Sequence, residues 1–185
     1  KLITYAYVLL DGGKMSTSGG TVVLVTDFIK AVKETLKNEF SKRGTDVSDD
    51  DLRTLCNACV KFTMLNVSKN KIVNFNLDSA TSFTGESGMY ILYSIVRINS
   101  ILKNNNIELS DEIKFTTDIE KKIVKSLYNF PQVVDELLKS YEPAHLTKYI
   151  FNLTQKFSSY YESVNISNEP DEDIKSSRLK LLLCI

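Results

Sequence analysis

The sequence predicts a mainly helical chain that opens with a short β/α segment. From about residue 48 onward, apolar residues recur at the three- and four-residue spacing of amphipathic helices, separated by polar connectors. Before that, β-branched and aromatic residues cluster in runs on either side of a glycine-rich loop. Composition agrees: over 185 residues, 43% are hydrophobic and 25% charged, which suits a folded soluble chain with room for one ordinary domain and a fragment of another.

Leu2 to Leu10 and Thr21 to Val25 are the β-like segments, and between them lies GGKMSTSGG, Gly12 to Gly20. Glycines let backbone N–H groups approach an anion, Lys14 brings a charge and the hydroxyls add donors, although the spacing is not that of a Walker loop. Thr26 is placed to cap a helix bearing Ile29, Val32, Leu36 and Phe40, which Arg43-Gly44 ends. Ser48 and the acidic run Asp49 to Asp51 suit the start of a second helix, with Leu52, Leu55, Cys56, Cys59 and Phe62 on one side.

Asn66 to Asn76 reads as a Lys/Asn-rich connector, and TSFTGESG, Thr81 to Gly88, as a loop feeding a helix from about Met89 to Lys103. Ile119, Ile123, Leu127 and Phe130 mark the next helix. Pro131 opens one carrying Val134, Leu137, Leu138 and Tyr141, and Pro143 precedes a long one with Leu146, Ile150, Leu153, Phe157, Tyr160 and Tyr161. Pro170 starts the last, whose acidic EPDED is a favourable first turn and not a metal site.

Lys plus Arg and Asp plus Glu number 23 each, so contact with nucleic acid needs a local patch and not a global positive field. Three cysteines, an odd number, suit a reducing compartment and the cytoplasm, and no apolar run is long enough to cross a bilayer. Cys56-Asn57-Ala58-Cys59 lies in a helical pattern without further ligands, so packing is expected there and no metal. His145, the sole histidine, has no nucleophile placed beside it. Tyr90, Tyr93 and Arg97 stand at i, i+3 and i+7 and share one helix face, a set suited to stacking on unpaired bases and to bonding base edges or phosphates. The same spacing also fits half-buried core tyrosines.

Taken in order, these motifs resemble the C-terminal part of the class I arginyl-tRNA synthetase family. LITYAYVLLDGGKMSTSGGTVV is similar to the last catalytic-domain strand running into the KMSKS-type signature loop, with Lys14, Met15 and Ser16 at its first three positions. LRTLCNACVKFTML resembles the first helix of the family's DALR-type anticodon-binding domain. FTGESGMYILYSIVRINSIL is similar to its pattern G-x-x-G-x-Y-x-x-Y-x-x-x-R through Gly85, Gly88, Tyr90, Tyr93 and Arg97, and HLTKYIFNLTQKFSSYYESVNI to its long penultimate helix.

The resemblance implies residues 1–47 as the end of a Rossmann-type catalytic domain and residues 48–185 as a helical-bundle anticodon-binding domain. It implies an arginine-tRNA ligase whose partners are arginine, ATP with Mg and an arginine-specific tRNA, with no DNA or membrane, acting as a monomer in the cytoplasm. Lys14, with Met15, Ser16 and Thr17, would face the ATP phosphates, and Lys14 would be the catalytic cation. Phe83, Thr84, Gly85, Tyr90, Tyr93 and Arg97 would hold the tRNA. The chain departs from the family where a basic residue usually accompanies the K-M-S core, having Thr17, Ser18 and Gly19 there, and it lacks the HIGH signature and the arginine pocket. A fragment that binds no cofactor tightly and is inactive alone is therefore expected. The alternative is a non-catalytic RNA-binding or scaffold module derived from a synthetase.

Overall fold

The computed structural model describes residues 3–10, 24–105 and 113–185, together with the backbone of 13–14. Three short strands, β1 (Val8–Leu10), β2 (Gly13–Lys14) and β3 (Val73–Phe75), accompany eight helices among these residues: α1 (Val25–Lys42), α2 (Asp49–Leu65), α3 (Leu77–Ala80), α4 (Gly88–Asn104), α5 (Asp118–Tyr128), α6 (Phe130–Ser140), α7 (Ala144–Ser163) and α8 (Glu172–Cys184). The chain forms two compact units, one of Lys1–Leu92 with Tyr141–Thr147, the other of Tyr93–Ser140 with Lys148–Ile185. Among the described residues no helix is long and apolar enough to cross a membrane.

In the first unit the strand order is β2-β1-β3, with β1 antiparallel to β2 and parallel to β3 in the register Val8↔Val73, Leu9↔Asn74, Leu10↔Phe75. The strand β3 lies inside the stretch expected to be a mere connector. Its alternation hides Val73 and Phe75 while Asn74 faces out, but three residues are too few to announce a period before their partner is known. Its Phe75 meets Phe28 edge to face at 4.7 Å, inside a core that includes Val32 and Leu36 of α1, Leu52, Cys56 and Cys59 of α2, and Met89 of α4.

Two helix ends in this unit are set differently. Helix α1 begins a residue before Thr26, with Leu24 at its N-cap and no side-chain cap, so Val25 is helical and not the end of a strand; residues 21–23 lie outside the described set. Helix α2 starts as its sequence signals, Ser48 accepting from the Asp51 N–H at 3.2 Å. Helix α4 passes α2 so closely that a Cβ on Gly88 would stand 2.5 Å from the Ala58 carbonyl oxygen, which only a glycine permits.

The second unit packs Ile98, Ile123, Leu153, Phe157, Tyr160, Leu179 and Leu182 into its core. Within it, α5 opens with a capping box: Thr117 accepts from the Glu120 N–H, and Glu120 reaches back to the Thr117 N–H at 2.8 Å. The same Glu120 carboxylate, 0% exposed, also receives the Thr116 N–H at 2.8 Å, Arg178 Nε at 2.8 Å and the Tyr160 hydroxyl at 3.4 Å. Arg178 Nη1 in turn binds Glu169. Phe130 starts α6 instead of ending α5, because Asn129 caps α5. Asp171 caps α8 by accepting from the Asp173 and Ile174 N–H groups, so the acidic run serves as a helix start.

Burial by itself pushes the Glu120 pKa up, but the hydrogen bonds from Thr117, Arg178 and Thr116 outweigh it and hold the carboxyl below its ordinary value. A carboxylate so depressed binds its proton less readily in the folded chain than in the unfolded one. Its stabilisation is therefore complete above the ordinary pKa of 4.5 and is lost as the pH falls from there through the lower folded value. Glu120→Gln leaves Arg178 with Glu169 as its remaining counter-charge and is expected to destabilise the chain in urea unfolding at neutral pH by less than about 3–5 kcal/mol, the scale of a fully orphaned buried charge. Below pH 4.5 its stability curve should be flatter than the parent's. Gly88→Ala is expected to lower the unfolding free energy in urea by about 1–3 kcal/mol, the scale of overpacking, since a backbone oxygen must yield.

Candidate nucleic-acid interface

The residues expected to act on RNA fall into two groupings. Ser87 organises the loop before α4: its hydroxyl donates to the Ser82 carbonyl at 2.5 Å and accepts from the Tyr90 N–H at 3.1 Å, so it closes the loop and starts the helix together. Within the loop Gly85 has φ 76°, a left-handed conformation that glycine takes without strain. Phe83 is half-buried; the Arg43 guanidinium lies 3.8 Å from its ring centroid and Phe40 meets it edge to face at 5.3 Å. Thr84 is exposed and its N–H donates to the Ser82 hydroxyl. Tyr90, half-buried, belongs to the first unit with this loop.

Tyr93 and Arg97 belong to the second unit, where Arg97 joins two rings. Its guanidinium carbon is 4.3 Å from the Tyr93 ring centroid and 4.8 Å from that of Tyr161, and Nη2 donates to the Tyr93 hydroxyl at 3.1 Å. Tyr93 is 43% and Tyr161 41% exposed, so each ring offers surface to a ligand while its orientation is held by the cation. Tyr161 is the residue that sequence reasoning did not place in the site. Its signal was the pair Tyr160-Tyr161 at the end of α7: the former is buried against Glu120, and the latter is turned outward and packed on Phe157 at 6.0 Å. Beside Tyr161 opens a cleft of about 430 Å³ lined by Ile101, Glu162, Asn165 and Ile166 among others, a mixture of apolar and polar groups.

Lys14 contributes backbone to β2, whereas Met15, Ser16 and Thr17 lie outside the described residues. Cys56 and Cys59 are buried in the first core; burial, then the neighbouring Cys56, pushes the Cys59 thiol up to about 12, and burial raises Cys56 as well. Such thiols stay protonated and unreactive. Among the described residues no group of three or more His, Cys, Asp and Glu could hold a metal ion.

Exposed aromatic planes flanking a guanidinium are equipped to stack on bases and to bond their edges or phosphates; nothing in the grouping performs covalent chemistry. The profile of the DALR anticodon binding domain family matches residues 91–185, which include Tyr93, Arg97 and Tyr161. The chain is 32% identical over 185 residues to an arginine–tRNA ligase of Clostridium beijerinckii, covering 97% of the chain and 33% of that protein. It is 28% identical over 188 residues to one of Flavobacterium psychrophilum, covering 97% and 31% respectively. The chain thus spans about a third of the length of the curated relatives it matches. Among solved structures its fold matches an arginyl-tRNA synthetase of Thermus thermophilus with TM-score 0.87 at 23% identity, and one of Plasmodium falciparum with TM-score 0.79 at 25%; each match covers 97% of this chain and 31% of the other.

Thiol titration checks the burial of the cysteines. In the folded chain only the exposed Cys184 is expected to react with an aromatic disulfide reagent, while Cys56 and Cys59 join it after denaturation.

Proposed function

The chain belongs to the DALR anticodon binding domain family, and from that membership we propose that it is the RNA-reading, C-terminal part of an arginine–tRNA ligase. The observation that carries the reading is the Arg97 guanidinium set between the exposed rings of Tyr93 and Tyr161. Splayed anticodon bases stack on the outer faces of the rings, and Arg97, locked between them, bonds a base edge or a phosphate. The cleft beside Tyr161 is roomy enough to take a base out of the loop's own stack. Tyr90 closes the helix face toward its N-terminal end, and Phe83, Thr84 and Gly85 supply a second contact with the same RNA.

In the whole ligase, the arginine carboxylate is joined to the α-phosphate of ATP with release of pyrophosphate, and the arginyl group then passes to the terminal ribose of an arginine-specific tRNA with release of AMP. This chain's contribution to the first step is electrostatic. To the Lys14 ammonium and the Ser16 and Thr17 hydroxyls we assign the stabilisation of the charge that develops on the leaving phosphates in the transition state. Mg enters with ATP as the substrate complex. We place the protein in the cytoplasm, which fits its odd set of cysteines, and take it as a monomer from the family resemblance.

Filter-binding titration with transcribed arginine-specific tRNA tests the reading. Tyr93→Ala and Tyr161→Ala are each expected to weaken binding by about 1–3 kcal/mol, the range of a lost base–aromatic stack. Arg97→Ala should weaken it further and reduce the salt slope by about one if a phosphate is its partner. Circular dichroism melting curves near the parent's would show that these variants fold; folded variants that bind tRNA as tightly as the parent would overturn the assignment. The chain by itself is expected to give no arginine-dependent ATP–pyrophosphate exchange.

A further inference from the structure

The first unit carries a second cleft, of about 400 Å³, where the end of α1 faces the loop before α4, and its chemistry is not that of an anion site. Lys42 and Arg43 bring two positive charges to it and Glu39 and Asp78 two negative ones, so a bare phosphate meets as much repulsion as attraction. Lys42 already binds Glu39 at 2.6 Å, whereas Asp78 is exposed on α3. The planar group in the cleft is the Arg43 guanidinium: one face rests on the Phe83 ring, and Phe83 is itself wedged by Phe40, so the plane is held. A ligand suited to this cleft has a flat face to lie on Arg43 and paired N–H donors to offer a carboxylate. Among the common nucleobases only guanine has two adjacent N–H donors, N1–H and N2–H, on one edge, matching a carboxylate's two oxygens; adenine, cytosine and uracil each offer a single donor group there.

We propose that this cleft seats one unstacked guanosine of the bound RNA, its base on the outer face of Arg43 and its donor edge on Asp78. The stack then runs Phe83, Arg43, guanine, a cation–π contact extended by a base on the opposite side of the guanidinium. The exposed Thr84 stands at the rim where a ribose hydroxyl lies. This gives Phe83 and Thr84 a base to read that is separate from those at Tyr93 and Tyr161, and it rests on the RNA-binding reading above.

Titration of the chain with GMP, AMP and inorganic phosphate, followed by backbone amide shifts, tests the seat. GMP should move the amides of Arg43, Phe83 and Asp78, and AMP and phosphate should move them far less. Arg43→Ala should weaken GMP on the order of tenfold or more, the scale of a lost base stack. Arg43→Lys, which keeps the charge and loses the plane, should behave alike. Asp78→Asn should erase the preference for GMP over AMP while leaving the fold intact. A short single-stranded RNA holding one guanosine should bind more tightly than GMP, and the same strand with adenosine in its place should not.

Equal shifts with AMP or phosphate, or an Arg43→Ala chain that binds GMP like the parent, would overturn the guanosine seat; GMP binding as tightly as the RNA would overturn its RNA source. The two readings fail separately. If Tyr93→Ala loses tRNA while Arg43→Ala and Asp78→Asn keep it in full, the function stands and this cleft is not part of it. If GMP binds at Arg43 but the chain binds no tRNA, the RNA reading falls and the cleft takes a free guanosine nucleotide.

Discussion

The close passage of α4 over α2 is the constraint on which the start of α4 and the loop before it depend. Gly88 has no side chain to hold the two backbones apart, so α4 starts against the Ala58 carbonyl with the neighbouring Met89 driven into the first core. At that start Ser87 caps the helix, and Tyr90 follows within the first unit. A larger residue at position 88 would push the first turn of α4 off the Ala58 carbonyl and disturb the loop that Ser87 closes. The glycine of the G-x-x-G pattern is therefore an instrument of positioning, while its partner Gly85 serves the loop's left-handed turn.

A different device orders the second unit. Glu120 is at once the third residue of a capping box on α5, the counter-ion of Arg178 on α8 and the acceptor of the Tyr160 hydroxyl on α7, so one carboxylate locates three helices. Such a buried pair is a poor source of net stability compared with well-packed apolar residues, but it tolerates few alternative arrangements. Tyr160 is held by it on the inner side of α7, and its neighbour Tyr161 is left on the outer side, where Arg97 meets it. The exposed aromatic face at Tyr161 is in this sense the outer surface of an ionic core.

Much of the helical framework was legible because its signals are local. Ser48 with its acidic run, and Val32 with Leu36, declare a cap and a buried face through spacing alone, and the structure buries both of those apolar residues fully. Where the reading slipped, the deciding partner was distant or the signal ambiguous. Val73-Asn74-Phe75 is a strand only because β1 lies beside it, and Thr26 lost the cap position to Leu24 once the helix began two residues earlier. Phe130 satisfies the apolar period of the helix before it and still begins the one after, because Asn129 interrupts the two.

By itself the sequence determined the helical class, the order of the longer helices, the family resemblance and the shared face of Tyr93 and Arg97, since each follows from residue identity and from local spacing. Only the tertiary structure decided which other groups meet them. It brought Tyr161 from 64 positions further along the chain than Arg97 to within cation–π distance, and it gave Phe83 to Arg43 and Phe40. The reason is that a helix period specifies which side of an element is apolar, whereas the partner of an exposed ring is chosen by packing between elements far apart in sequence, and no local pattern encodes that choice.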